Sequence, residues 1–366
     1  MIIYSVPLIF LSCLTFLESR NKKISVIKNK YLYFITFLFL TFFIGFRNEI
    51  GCDWNAYFEN FSSVNSKSLN ILFTQNNIKE LGNQIYDIGY TLIIKILSFR
   101  FNFEIIILIL SLFFTVPLFI FCSQLKRPYL ALTISYPYFF VVIGMGLIRQ
   151  SIAISLLMLC IIFISNKNFN KFLLFNIFSS LFHFSAIIFS SLLFIFVDYF
   201  QKKRLNLLIA LILGTILILL TFYNYEPVFS KILAYLNPSN SYNEAKSAIV
   251  IWTINFLPIT LYLNNISKFK FNKFLKRIII FFFVFEIFLF FLIFFNTIFA
   301  YRFSLYCFPI SIYIISFLPD AEILKIKSEY ITFSIVFLCF ASLNFWLQNA
   351  NHASCWLPYK NILLNF

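Results

Sequence analysis

Charge is scarce in this chain. Asp, Glu, Lys and Arg together make up 12% of its 366 residues, about half of the roughly 25% usual in soluble proteins. Histidine is scarcer still, with only His183 and His352, and no His/Cys/Asp spacing resembles a zinc site. Regular polar–apolar alternation is missing, which argues against an outer-membrane barrel. Acidic residues number 14 against 29 basic ones, a net charge of +15. The basic residues sit in short clusters between apolar runs, with no single basic face and no recognised nucleic-acid module, so nucleic acid is not expected as a partner. The positive-inside rule accounts for the charge instead. These shortages exclude a soluble enzyme, a secreted disulfide scaffold and a disordered chain.

What the chain does have is apolar sequence. Apolar residues make up 61% of it, 55 of them Phe, enough for about eleven bilayer-spanning helices of about 20 residues each. Apolar runs lie at 2–17, 31–46, 104–122, 129–145, 149–165, 171–197, 205–222, 248–264, 277–297, 302–318 and 330–347. The expected fold is an all-α polytopic integral membrane protein, a single transmembrane domain of about 11–12 helices over 1–366. No internal repeat is evident.

Topology follows from the charges. The first run has no basic residue before it and Arg20, Lys22, Lys23, Lys28 and Lys30 after it. It is therefore not read as a cleavable signal peptide, and the following loop is placed in the cytoplasm. Basic groups at 126–127, 167–171, 202–204 and 268–277 mark further cytoplasmic loops. The connection 47–103 carries Glu49, Asp53, Glu59, Glu80 and Asp87 and is placed on the far side, as is 223–247. These two connections are expected to build a cleft on that side. Residues 85–98 read as an in-plane or re-entrant helix. The run 171–197 has basic residues at both flanks, which favours two short arms turning near His183. Of the seven cysteines, five lie in apolar runs and read as small buried hydrophobes. Cys52 and Cys355 lie in loops, where a bridge in an oxidising compartment is left open.

An ionised side chain at a helix centre costs roughly 2.5 kcal/mol or more, so charges that are not loop charges call for a reason. Arg47 ends the second run on the outer side, followed by Asp53, Trp54 and Tyr57. Arg149 and Gln150 open an apolar helix after Gly144 and Gly146, also at the outer end. Arg302 separates two runs on the outer side, between Tyr301 and Tyr306. Three arginines on the face that should lack them suit a multiply charged anion such as a pyrophosphate. His183, in SLFHFSAIIF, reads either as a structural group or as a general base. Glu286 is a mid-run carboxylate, read as structural.

The order of these motifs resembles the Wzy-type O-antigen and capsule polymerases, in the branch similar to the EpsG family. The resemblance rests on FRNEIGCDWNAY at 46–57, IRQSIAISLL at 148–157, FHFSA at 182–186, YRFSLY at 301–306 and WLPYKN at 356–361. It implies a multi-pass protein of the bacterial inner membrane working on its periplasmic face. The substrate implied is an oligosaccharide repeat unit on undecaprenyl pyrophosphate, held among membrane lipid. The growing glycan would pass from its lipid carrier to the non-reducing end of a new lipid-linked unit, with no cofactor, nucleotide sugar or metal. Arg47, Arg149 and Arg302 would hold the pyrophosphate, and His183 or Asp53 would take the proton of the attacking hydroxyl. Gln150, Tyr57 and Tyr301 would contact substrate. A chain-length regulator is a partner the resemblance leaves open. A lipid-linked oligosaccharide flippase and an O-antigen ligase are rival readings.

Overall fold

A computed structural model of the chain describes residues 1–20, 29–67, 87–196, 247–321, 323 and 326–363. The expected span at 205–222, almost all of the connection 223–247 and the basic groups at 22–28 and 202–204 lie outside the described residues. The helices are α1 (Ile2–Arg20), α2 (Lys30–Gly45), α3 (Trp54–Ser66), α4 (Ile88–Ser98), α5 (Phe103–Ser123), α6 (Pro128–Ser135), α7 (Ile148–Ser165), α8 (Phe169–Phe182), α9 (Ala248–Asn264), α10 (Lys273–Ile293), α11 (Thr297–Ser304), α12 (Phe308–Phe317) and α13 (Ser328–Asn349). A π-helix, Tyr136–Gly144, continues α6, and a 3₁₀ stretch, Phe184–Phe196, follows α8. Among the described residues no strand forms beyond one isolated bridge, Arg47 with Asn361. Among the described residues, five helical segments are long and apolar enough to cross a membrane: Ile2–Arg20, Phe103–Ser123, Ile148–Ser165, Thr297–Asp320 and Ser328–Asn349. Shorter apolar helices accompany them, and the fold is that of an all-α polytopic membrane protein.

Asparagine sets many of the helix starts. Asn29, Asn102, Asn168, Asn272 and Asn296 each accept, through the side-chain oxygen, from the backbone N–H three residues on. Each bond satisfies one of the donors that a helix start leaves without a partner, contributing about 1 kcal/mol. Outward faces carry bare Phe and Ile, such as Phe288 and Phe291 on α10 and Phe333 and Phe337 on α13. Such surface suits acyl chains, as it would not suit water.

The chain separates into two compact units. The first comprises Met1–Leu72, Tyr90–Ser155 and Ile312–Phe366, the second Phe73–Gly89 and Leu156–Ser311. Within the first unit, hydroxyl pairs join helices that lie far apart in sequence: Thr15 with Thr133 at 2.8 Å and Thr41 with Thr115 at 2.9 Å. At the end of this unit where α1 finishes and α6 begins, Arg127 holds Asp320 through two bonds of 2.9 and 2.8 Å and donates also to Ser328 and Thr332.

Within the second unit, α8 stops at His183, whose backbone is extended (φ −152°, ψ 114°). The 3₁₀ stretch packs back on α8, and Asn176 donates to Ser190 at 2.8 Å. Those two residues lie seven before and seven after His183, as expected for a hairpin turning there. Over the run 85–98, expected to be an in-plane or re-entrant helix, the described residues form α4, eleven residues and so about 16 Å long at 1.5 Å per residue, too short to cross a bilayer. One boundary differs from expectation. Arg302 does not separate two spans but lies in the last turn of α11, whose Asn296 cap starts the helix well before it.

Candidate functional site

Three of the five sequence motifs meet in the first unit. Phe46 closes α2, and the chain then runs against the C-terminal segment. Asn48 N–H donates to Lys360 O, Gly51 N–H to Cys355 O, and Ile362 N–H to Phe46 O. Cys52 and Cys355 form a disulfide with Cα atoms 5.1 Å apart, which settles the pairing that sequence left open. Lys360 adds an exposed ion pair with Glu49, of small energetic weight. Gly51 has φ +100°, and a side chain there would meet the Met145 carbonyl, so only glycine fits at low strain. The C-terminal strap is fastened from below as well. Trp356 Nε1 donates to Val141 O at 2.9 Å, Tyr359 OH to Phe43 O at 2.7 Å, and Tyr4 OH to Trp356 O at 2.7 Å.

This strap fixes Arg47. The side chain is 1% exposed and donates to Ile44 O at 2.7 Å and Met145 O at 3.2 Å. Its guanidinium carbon lies 5.9 Å from the Trp54 ring centre. Burial lowers its pKa to about 10, against the opposing effect of Tyr359, Tyr57, Tyr4 and Tyr90. It therefore stays cationic at neutral pH. Sequence had assigned Arg47 to face a ligand, yet here it is enclosed and joins the end of α2 to the turn before α7. No carboxylate bonds it among the described residues, which separates it from Arg127 with its Asp320.

Arg149 stands at the start of α7 beyond that turn and is half-buried. Its guanidinium lies 5.8 Å from the Tyr57 ring centre and 5.7 Å from that of Tyr90. Burial raises the Tyr57 pKa above its ordinary value, against the opposing effect of the Arg149 cation beside it. The phenol is thus neutral, and it orients the cation without cancelling its charge. Gln150 is buried beside it. Asp53 is exposed at the N-terminus of α3, one turn before Tyr57, and makes no side-chain cap bond. The structure thus gathers Arg47, Asp53, Tyr57, Arg149 and Gln150 in the first unit. Beside the strap opens a cleft of about 440 Å³, with Asn48, Asn102, Glu104 and Asn361 on its polar side and Phe46 and Ile105 on its apolar side.

His183, Tyr301 and Arg302 belong to the second unit, where the two remaining motifs meet. Ser185 of FHFSA and Tyr306 of YRFSLY share a 2.8 Å bond between hydroxyls. Phe189 packs on the Tyr306 ring, centroids 4.9 Å apart. Arg302 and Asp87 both act electrostatically on Tyr306, so the four groups are neighbours. Tyr301 and Arg302 are each half-buried in α11. His183 Nδ1 lies 3.3 Å from Asp87 Oδ2, and Asp87 Oδ1 accepts from Phe184 N–H at 3.0 Å. Sequence reasoning counted Asp87 only as an outer-loop acid. Deeper in the unit, Glu286 is wholly buried, next to Cys307. Among the described residues no three His, Cys, Asp or Glu side chains gather as metal ligands would.

A model of the EpsG family matches residues 30–361, which is most of the chain and includes all five motifs. No curated protein and no solved structure matches it.

Proposed function

Because the chain belongs to the EpsG family of polysaccharide-polymerase-like membrane proteins, we propose that it is an O-antigen or related surface-polysaccharide polymerase. It transfers a growing glycan from undecaprenyl pyrophosphate to the non-reducing end of a lipid-linked repeat unit. The observation that carries this reading is Arg149, a half-buried cation at a helix start, set between the rings of two tyrosines. A helix start already attracts anions through its unbonded N–H groups. A guanidinium added there matches the oxygens of a departing lipid diphosphate. As the bond to the sugar breaks, negative charge grows on the diphosphate, and a fixed cation lowers the barrier.

The other parts have roles consistent with this one. Arg47 holds the turn that presents Arg149 and adds a buried positive charge. In the second unit, Arg302 supplies a further half-buried cation, and His183 is the base that takes the proton of the attacking hydroxyl; Tyr301 is retained as a substrate contact. Asp53, exposed and uncommitted to a cap, is retained as the rival base, and Gln150 as a group that orients a hydroxyl. The cleft beside the strap, with amides and a carboxylate facing Phe46 and Ile105, suits a carbohydrate, which offers hydroxyls and apolar C–H faces. The Cys52–Cys355 disulfide supports an extracytoplasmic location for this end of the first unit, and Lys126 and Arg127 at the other end agree with the positive-inside rule. The reading therefore includes the bacterial inner membrane and a periplasmic working face.

Deletion of the gene, followed by gel analysis of surface polysaccharide, tests the reading. The expected result is loss of the long ladder with a single repeat unit still attached to its final acceptor. Loss of every repeat-bearing band would instead favour a flippase or a ligase.

A further inference from the structure

The His183 side chain is not held by its own helix. It follows the last residue of α8, and the side-chain partner at Nδ1 is Asp87, on the segment leading into α4. Asp87 is 2% exposed. A carboxylate buried to that degree needs partners for both oxygens. One oxygen is met by the Phe184 N–H at 3.0 Å, immediately after the histidine, and the other faces the His183 ring at 3.3 Å. The first bond fixes the carboxylate to the hairpin turn itself, so carboxylate and imidazole are referenced to the same stretch of backbone. Gly89 makes the approach feasible: a side chain there would strike the backbone and Cβ of Leu181. The segment carrying Asp87 thus lies directly against the end of α8.

Resting on the polymerase reading, we propose that Asp87 is the positioning residue for His183, holding the imidazole with its proton on Nδ1 and its basic lone pair on Nε2. A carboxylate accepts but does not donate, so it selects the tautomer with Nδ1–H. When an acceptor hydroxyl attacks the anomeric carbon, its proton passes to Nε2 as the new C–O bond forms. The C–O bond to the lipid diphosphate breaks, and the diphosphate leaves with the electron pair. The imidazolium formed in that step is stabilised by the Asp87 carboxylate until its proton is released to solvent. In this role Asp87 acts on the reaction through His183, as a positioning residue.

The test uses the full chain in detergent or nanodiscs with a lipid-linked repeat unit. Asp87→Asn should lower kcat by about 10²–10⁴-fold, because an amide can turn its N–H₂ to Nδ1 and favour the wrong tautomer. KM should stay within about twofold. Asp87→Glu, which keeps the carboxylate, should recover part of the loss. In a His183→Ala background, Asp87→Asn should cost less than about threefold more, since a residue acting through His183 has nothing left to act on. Wild-type kcat in Asp87→Asn, or full multiplication of the two losses, overturns the inference. A second readout needs no activity and no change at Asp87. In ¹⁵N-histidine-labelled His352→Gln protein, His183 is the sole histidine, and at alkaline pH its spectrum should be that of the Nδ1–H tautomer; the Nε2–H pattern overturns the proposal. Failure of the polymerase reading looks different: the unsubstituted chain makes no polymer, while the tautomer measurement still decides on the pair.

Discussion

The polar cluster of the first unit is held by main-chain carbonyls, aromatic rings and a disulfide; that of the second is held by polar side chains bonded to one another and by one main-chain N–H, from Phe184 to Asp87. Around Arg47 and Arg149 the fixing elements are backbone carbonyls, tyrosine and tryptophan rings, the C-terminal strap and the Cys52–Cys355 bridge. Around His183 they are Asp87, and nearby Ser185 is bonded to Tyr306. The groups differ in kind as well. A guanidinium keeps its charge at any physiological pH, and an anchor of main chain and disulfide suits a charge that must stay in place. Imidazole, carboxylate and hydroxyl exchange protons, and a hydrogen-bonded side-chain set is the arrangement that lets a proton move. Under the proposed function, the first cluster is chiefly the anion holder and the second chiefly the proton handler.

The largest expected effect follows from removing the cation that this division makes central. Arg149→Ala should abolish long-chain polymer and lower kcat by about 10²–10³-fold, the scale of losing a preorganised electrostatic group. Transfer of a single repeat unit to its final acceptor should persist. Arg149→Lys should recover only part of the activity, because a compact ammonium lacks the planar fork. Normal polysaccharide ladders in both variants would remove anion holding from the first cluster.

A smaller effect is expected from the staple. The Cys52→Ser, Cys355→Ser double variant leaves the strap attached by its main-chain bonds and by Trp356 and Tyr359. It should lose about 2 kcal/mol of stability, the low end for a native disulfide, read as a lower unfolding temperature of the purified protein. Its kcat, measured below that temperature, should change less than about threefold, since Arg47 keeps its two carbonyl partners. A loss of kcat as large as that of Arg149→Ala would mean that the bridge, rather than the carbonyls, sets the cation geometry.

How far these features could be read from sequence depends on whether their cause is local. Among the described residues most apolar runs became helices, because bilayer thickness sets run length directly. The His183 turn was legible from basic residues at both ends of one run. Arg149 at a helix start was legible from Gly144 and Gly146 before it. The N-terminus of α11 was not placed, although Asn296 carried the signal, because the apolar run 277–297 was carried straight through that residue. Burial of Arg47 had no local signal: an arginine after a span ordinarily reaches the interface, and the Met145 carbonyl that accepts from it lies 98 residues away. Asp87 was hidden for the same reason, 96 residues from its histidine. Both depend on which distant segment folds against them.

The finest distinction within the first cluster is between the two ways Tyr57 acts on Arg149. Its ring packs against the guanidinium, and its hydroxyl interacts electrostatically with the same residue. Tyr57→Phe keeps the ring and removes the hydroxyl. A hydrogen bond to a charged group contributes about 1.5 kcal/mol or more, and a cation–π contact about 0.5–2 kcal/mol. If the hydroxyl aims the guanidinium, Tyr57→Phe should lower kcat about five- to tenfold with the unfolding temperature little changed. Tyr57→Leu, which removes ring and hydroxyl together, should lower it further and also destabilise the fold, because a 6%-exposed side chain is replaced by a smaller one. Equal kcat in Tyr57→Phe and the unsubstituted protein would leave the ring as the sole brace. Equal losses in Phe and Leu variants would make the hydroxyl the whole of it, and Tyr90 would then carry the stacking alone.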